Sequence, residues 1–177
     1  YRHTAAALAP YLSEYALMRN RLVVECEYLI ALSSVRALGV RRISAREIGV
    51  IRALSNLSRE DAAIIKSIEK EGYGGIPATN HDVKAIEYFI KLKLARTTLV
   101  DVAEWVHFAL TSEDVNSVAH GLSLRAALED VMVPHVRLIE RALEAQVRAH
   151  AKTPMLARTH GQSASPTTFG KEMNVFL

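Results

Sequence analysis

The sequence predicts an all-α chain built from long helices. Three observations carry that prediction. Apolar residues recur at steps of three and four almost from end to end, the spacing of one helix face. Hydroxyl residues followed three positions later by an acid mark the points where such runs begin, as helix caps do. No segment alternates apolar and polar residues over a convincing strand length, and there is no repeat or low-complexity tract.

The first long helix is expected from Ser13 to Leu38. Met18, Leu22, Cys26, Leu29 and Ile30 share one face, and Gly39 follows where a helix end tolerates positive φ. Cys26 lies on that apolar face and reads as a buried thiol. Ser44-Ala45-Arg46-Glu47 has capping-box spacing, with Ile43 and Ile48 placed as its hydrophobic staple. Ser58-Arg59-Glu60-Asp61 is a weaker version of the same box. It opens a helix through Ile64, Ile65 and Ile68 to Gly72. The stretch from Gly72 to Pro77 breaks helix and strand alike.

Thr79-Asn80-His81-Asp82 then starts a helix whose stripe is Val83, Ile86, Phe89 and Ile90. A further helical stretch covers Leu99 to Leu110. Thr111-Ser112-Glu113-Asp114 reads as a restart, with hydroxyls at the cap and acids in the first turn. The pattern continues to about Ala149, and Pro134 should kink or interrupt it. Ala151 to Thr168 reads as a loop containing Pro154, Gly161 and Pro166, with a final helix after Pro166. Short helices precede residue 100 and one long helix follows. The expected division is an N-terminal helical domain over 1–100 and the beginning of a central helical bundle over 101–177.

Composition excludes several classes. The 177 residues are 50% apolar and 23% charged, enough to bury a core and too apolar for intrinsic disorder. One cysteine rules out a disulfide scaffold. No apolar run approaches the roughly 18 residues of a membrane span. Lys+Arg is 22 against Asp+Glu 19, a net charge of +3 with the signs interspersed, which argues against nucleic acid as a partner. The chain starts at Tyr1 and stops at Leu177 inside an apolar stretch, so it is expected to be part of a longer polypeptide.

Chemistry concentrates in three polar clusters: Ala78 to Asp82, Thr111 to Asp114, and Arg158 to Ser163. The first two combine hydroxyl or amide side chains with helix N-terminal N–H groups, a pairing that binds carboxylates or phosphates. Simple capping explains either one alone equally well. The third cluster crowds Arg158, Thr159, His160, Gln162, Ser163 and Ser165 into a segment too polar for packing. Imidazole is the side chain best suited to acid–base work near neutrality, although a solvated loop is the plainer reading. His107 and His120 fall in expected helical stretches and read as core or surface residues. Arg36, Arg41, Arg42 and Arg46 read as a solvated face. No His-Cys or His-Glu spacing fits zinc, so no metal is assigned. No dinucleotide fingerprint, P-loop or nucleophile elbow is present.

Three segments together resemble one family. Ala157-Arg158-Thr159-His160-Gly161-Gln162-Ser163-Ala164-Ser165-Pro166, continuing to Gly170-Lys171-Glu172-Met173, is similar to a signature region of the adenylosuccinate lyase family. Thr79-Asn80-His81-Asp82-Val83-Lys84-Ala85-Ile86-Glu87-Tyr88-Phe89 and His107-Phe108-Ala109-Leu110-Thr111-Ser112-Glu113-Asp114-Val115-Asn116 resemble two more of its stretches. Ser13 to Leu17 and the arginines after it fit the family's first helix. The first segment alone points only to the wider fumarase/aspartase superfamily. The three in order, over essentially the whole chain, point to adenylosuccinate lyases. Ser163 stands where the family usually has proline, which should loosen the loop slightly. The Glu71 to Ala78 loop looks longer than in bacterial relatives.

The resemblance implies the N-terminal portion of a cofactor-free lyase. Such an enzyme eliminates fumarate from adenylosuccinate, giving AMP, and from the succinylated aminoimidazole carboxamide ribotide of purine synthesis. It implies His160 as general acid on the departing nitrogen. Thr111 and Ser112 would bind the succinyl carboxylate. Asn80, His81 and Asp82 would line the site, and Thr159 and Gln162 would support the loop and substrate. Tyr1 would belong to an Arg-Tyr pair on the nucleotide phosphate. The base would be a serine of the C-terminal half, absent from this chain. The family is a cytoplasmic homotetramer around a bundle of long helices, with active sites built from three subunits. An argininosuccinate-type lyase and a non-catalytic helical scaffold are the rival readings.

Overall fold

Ser13 begins the first long helix by accepting the Ala16 N–H on its hydroxyl at 3.2 Å. A computed structural model describes residues 2–177, and Tyr1 lies outside the described residues. A short helical turn, α1 (Ala9–Leu12), leads into this helix, α2 (Glu14–Leu32). It stops six residues short of the expected Leu38. The Ser33 hydroxyl donates to the Ile30 carbonyl at 2.7 Å, the kind of local bond with which serine competes against helix propagation. Gly39, at φ +73°, closes the separate 3-10 turn Arg36–Leu38 instead.

Both predicted capping boxes form. Ser44 and Glu47 open α3 (Ala45–Ala53), and Ser58 and Asp61 open α4 (Arg59–Lys70). α5 (Asp82–Leu94) presents Val83, Ile86, Phe89 and Ile90 inward, all at most 1% exposed. Ile86, Phe89 and Ile90 meet Leu22, Cys26 and Leu29 of α2 and Ile51, Ile65 and Ile68 of α3 and α4 in one core. Each such side chain contributes roughly 1.5–3 kcal/mol by leaving water. Burial pushes the Cys26 thiol up to about 12, with Glu25 and Glu27 adding to the shift.

The stretch Leu99–Leu110 is not an α-helix. It is a 3-10 helix, Val100–Trp105, followed by turns in which His107 and Ala109 adopt φ +63° and +58°. Leu99, Val102, Ala103 and Val106 are buried, and that spacing fits a three-residue period as well as a 3.6-residue one. Left-handed residues cannot continue a right-handed helix. α6 (Ser112–Ala127) then packs along α2 and α1. Arg36, Arg42 and Arg46 are exposed, and Arg41 lies partly exposed at the same surface. Arg41 forks between Glu47 of α3 (2.8 Å) and Asp101 (2.5 Å), tying the 3-10 segment to α3.

The described residues up to Ala127 form one compact unit and Leu128–Leu177 a second. The change of sequence character near residue 100 falls inside the first. The second unit begins where the long helical pattern breaks, at the π-helical turn Leu128–Met132. α7 (Val133–Ala149) follows without a break, and Pro134, which cannot donate a helical bond, sits just after that turn. The segment expected to be a loop is an antiparallel hairpin, β1 (Pro154–Thr159) and β2 (Gln162–Thr168), with a bulge between Leu156 and Arg158. β1 opens on an unbroken apolar run, Pro154 to Ala157, and β2 is mostly polar, so neither strand gives an apolar–polar alternation to read. His160 and Gly161, at φ +50° and +74°, make a two-residue turn of the kind that suits a hairpin's twist. Ser163 therefore lies in a strand, paired with Arg158, rather than in a loop. α8 (Phe169–Asn174) packs on α7 through Gly170, whose Cα faces the Ala151 backbone. Among the described residues, no helix is long and apolar enough to cross a membrane.

Candidate active site

In the first unit two of the three polar clusters meet. The Gly72–Pro77 loop turns back through a Tyr73–Ile76 bridge. The chain is then held on the end of α4, where the Thr79 and Asn80 N–H groups donate to the carbonyls of Ile68 (3.0 Å) and Glu69 (2.8 Å). Asn80 takes φ +49°, and His81 becomes the cap of α5. The Lys84 N–H donates to His81 Nδ1 at 3.3 Å. With Nδ1 accepting, a neutral ring carries its proton on Nε2. That atom lies 3.4 Å from the Ser112 hydroxyl, at the start of α6. Thr79 holds the cap from the other side, its hydroxyl donating to the His81 carbonyl at 3.0 Å.

Asp82 is turned toward α2. It pairs with Arg21 at 2.7 Å, and its own Val83 N–H donates to it at 2.9 Å. Burial alone would raise this carboxyl, but the Arg21 guanidinium outweighs it and holds Asp82 below the usual carboxylate range. Arg21 is itself only 6% exposed, and its Nε donates to the Asn116 side chain at 3.0 Å. One arginine of α2 thus ties the first turn of α5 to the first turns of α6. At the α6 start, Asp114 accepts the Thr111 N–H at 2.8 Å and leaves the Thr111 hydroxyl out of that cap. Asn80, His81, Thr111 and Glu113 are exposed and Ser112 is half-buried. Two adjoining helix N-termini therefore offer hydroxyl, amide and imidazole groups beside an acid already neutralised by Arg21. That arrangement suits a carboxylate or phosphate guest.

In the second unit His160 stands at the tip of the hairpin, exposed, between the paired residues Thr159 and Gln162. Few side chains other than Asn, Asp and His take a left-handed φ readily. Below the tip, the start of α8 is tied to the turn after α7 by the Phe169 N–H donating to the Thr153 carbonyl (3.0 Å) and the Gly170 N–H to the His150 carbonyl (2.9 Å). The Phe169 ring meets the His150 ring edge-on at 5.0 Å.

Arg21 and Glu25 were not singled out by sequence reasoning. Glu25 is fully buried, and its Oε1 lies 2.5 Å from His107 Nδ1. The readable signal was charge inside the α2 apolar stripe, since 21 and 25 fall beside 18, 22, 26 and 29. Among the described residues no cluster of three His, Cys, Asp or Glu side chains is placed to hold a metal ion.

A lyase family model matches residues 3–177. The adenylosuccinate lyase of Escherichia coli (strain K12) is 41% identical over 176 residues, covering 98% of this chain and 37% of that protein. The adenylosuccinate lyase of Dictyostelium discoideum is 40% identical over 176 residues, covering 96% of this chain and 36% of that protein. The chain thus spans little more than a third of the length of these relatives. The crystal structure of a fumarate lyase from Mesorhizobium sp. BNC1 superposes with a TM-score of 0.71 over 96% of this chain and 36% of its own, at 20% identity, a likeness of fold.

Proposed function

The chain belongs to the lyase family matched over residues 3–177, and from that premise we propose that it is the N-terminal portion of an adenylosuccinate lyase. The reaction is elimination of fumarate from adenylosuccinate and from the succinylated aminoimidazole carboxamide ribotide. The geometric observation that carries the reading is the approach of His81 to Ser112 at 3.4 Å, which brings two separate sequence clusters to one pair of helix starts. Thr111 and Ser112 take the succinyl carboxylate there, and Asn80, His81 and Asp82 line the same site. The elimination develops negative charge on that carboxylate, and fixed donors at helix N-termini stabilise it without reorganising.

His160 donates the proton to the departing nitrogen, with Thr159 and Gln162 beside it. Its exposed tip supports a role toward a guest from outside its own unit. Tyr1 contacts the nucleotide phosphate. The base and the rest of the site come from parts of the protein beyond this chain. Residues 101–177 begin a central bundle of a homotetramer, and the protein works in the cytoplasm. Val136 and Ile139, three apart on α7, are 51% and 61% exposed, and an apolar face of that kind supports helix partners from other subunits.

The test is fumarate release from adenylosuccinate by the full-length gene product, wild type beside His160→Ala. Release by the wild type and its loss in a folded, tetrameric variant is expected. A folded tetramer that releases nothing overturns the reading and leaves argininosuccinate as the next substrate to try. A His160→Ala variant as active as wild type removes His160 from the mechanism.

A further inference from the structure

We infer that Glu25 is a positioning residue: through His107 it sets the turn 107–110 and thereby holds Thr111 and Ser112 where a carboxylate can bind. The inference rests on the role proposed above for those two hydroxyl residues. The turn does not hold itself. His107 and Ala109 both sit in the left-handed region without being glycine, and the backbone bond that closes the turn, Leu110 N–H to the His107 carbonyl, is long at 3.3 Å. Such a conformation persists only where the surroundings enforce it.

The enforcement comes from α2. Glu25 Oε1 meets His107 Nδ1 at 2.5 Å, and the Tyr28 hydroxyl donates to the Phe108 carbonyl at 3.0 Å. Positions 25 and 28 lie on one face of a helix. Four residues before Glu25 on that face, Arg21 holds Asn116, just beyond the Thr111-Ser112 pair. The pair is therefore gripped from α2 on both sides, and Glu25 supplies the grip that bears on strained backbone.

The choice of a carboxylate fits positioning better than packing. Glu25 is 0% exposed, and its Oε2 has no hydrogen-bond partner among the described residues. Burial pushes its carboxyl up, His107 pulls it back, and the charge on Glu87 pushes it up again. An apolar side chain would fill the same space without leaving a buried oxygen unpaired. What it would not do is direct the His107 ring.

The full-length protein is compared as wild type, Glu25→Leu, Glu25→Gln, His107→Leu and the Glu25→Leu/His107→Leu double variant. Size and thermal midpoint establish that each folds. In Glu25→Leu, amide hydrogen exchange across 106–112 should quicken by about tenfold or more, while α2 and α5 keep their protection. Inhibition by fumarate should weaken by about tenfold and inhibition by AMP should stay within about twofold, because only the carboxylate side has moved. Glu25→Gln keeps an acceptor for His107 and should recover most of the loss. The double variant should be no worse than the poorer single one, since both remove the same contact. Unchanged exchange in Glu25→Leu, equal weakening toward AMP and fumarate, or additive losses in the double variant would overturn the inference. If Glu25→Leu does not fold, Glu25→Gln with His107→Leu carries the comparison. If the wild type releases no fumarate, the proposed activity fails, and the exchange measurement alone decides whether Glu25 sets the turn.

Discussion

His81 and Ser112 stand at helix starts that α2 grips from beneath, through Arg21, Glu25 and Tyr28. His160 stands on a turn shaped by two left-handed residues and by strand pairing next to it. The first arrangement depends on side chains that are buried and far apart in sequence. The second depends on local backbone geometry, and its functional side chain projects from an exposed tip. Groups that must recognise a fixed carboxylate gain from a rigid, core-anchored frame. On the proposed reading, a proton donor at such a tip needs a defined projection and little else. The contrast predicts that changes at the tip alter chemistry and spare stability, whereas changes under the helix starts cost stability and carboxylate binding together.

The largest effect should follow from removing the tip imidazole. His160→Ala in the full-length protein should lower kcat by about 10²–10⁴-fold, the range for a lost general acid. The thermal midpoint should stay within a few degrees, because the side chain is exposed. His160→Asn, which tolerates the left-handed turn, should lose as much activity. A variant that unfolds rather than slows would mean the tip is held by its side chain, and the contrast would collapse.

Next comes the foot of the same hairpin. A Cβ at Gly170 would lie 2.7 Å from both the Ala151 Cα and the Val147 carbonyl oxygen, and neither is free to swing away. Gly170→Ala should cost about 1–3 kcal/mol in denaturant unfolding, as overpacking does. Gly161→Ala, at the tip, meets nothing within 4 Å and should cost only about 1 kcal/mol for its φ of +74°. Equal losses at the two glycines would show that the tip is packed after all.

How much of this was readable follows from the same contrast. Local chemistry was legible. The capping boxes at Ser44 and Ser58, the interruption near Pro134 and the buried stripe of α5 each rest on residues a few positions apart. The hairpin was not, because β1 is a short unbroken apolar run and β2 is mostly polar, so neither alternates, and its one local signal, a glycine after His160, was read as a loop marker. Nor were the α2 grips. Arg21 reaches residues 61 and 95 positions away, and Glu25 reaches one 82 positions away. A charged residue within an apolar stripe announces a buried partner without naming it. Arg41 was legible as a surface residue beside Arg36, Arg42 and Arg46, but its partners on α3 and near Val100 were not.

Under the helix starts, Arg21→Met should keep most of the packing and lose the bonds to Asp82 and Asn116. The expected loss is about 1–2 kcal/mol of unfolding free energy, the range for charge-assisted bonds whose acceptor keeps access to water. Carboxylate affinity should weaken with it as the two helix starts come apart. A stable variant with weakened binding would separate anchoring from folding and would break that side of the contrast. A stable variant with intact binding would remove Arg21 from the frame.

The smallest effect tests the partner of that arginine by pH. Asp82 is held below the usual carboxylate range, so the folded state binds its proton more weakly than the unfolded state does. The stability this brings is present above the unfolded value of about 3.9 and is lost as pH falls through the folded value. Wild type should therefore exceed Asp82→Asn in stability by a constant margin from about pH 5 to pH 8, and the margin should close as pH falls below about 4. The Asp82 side chain is 52% exposed, so solvent screening keeps the margin under about 1 kcal/mol. A margin that persists into acid would mean that the Asn change acts through the cap of α5 rather than through charge. Arg21 would then be holding α6 alone, and the two helix starts would be coupled only by His81 and Ser112.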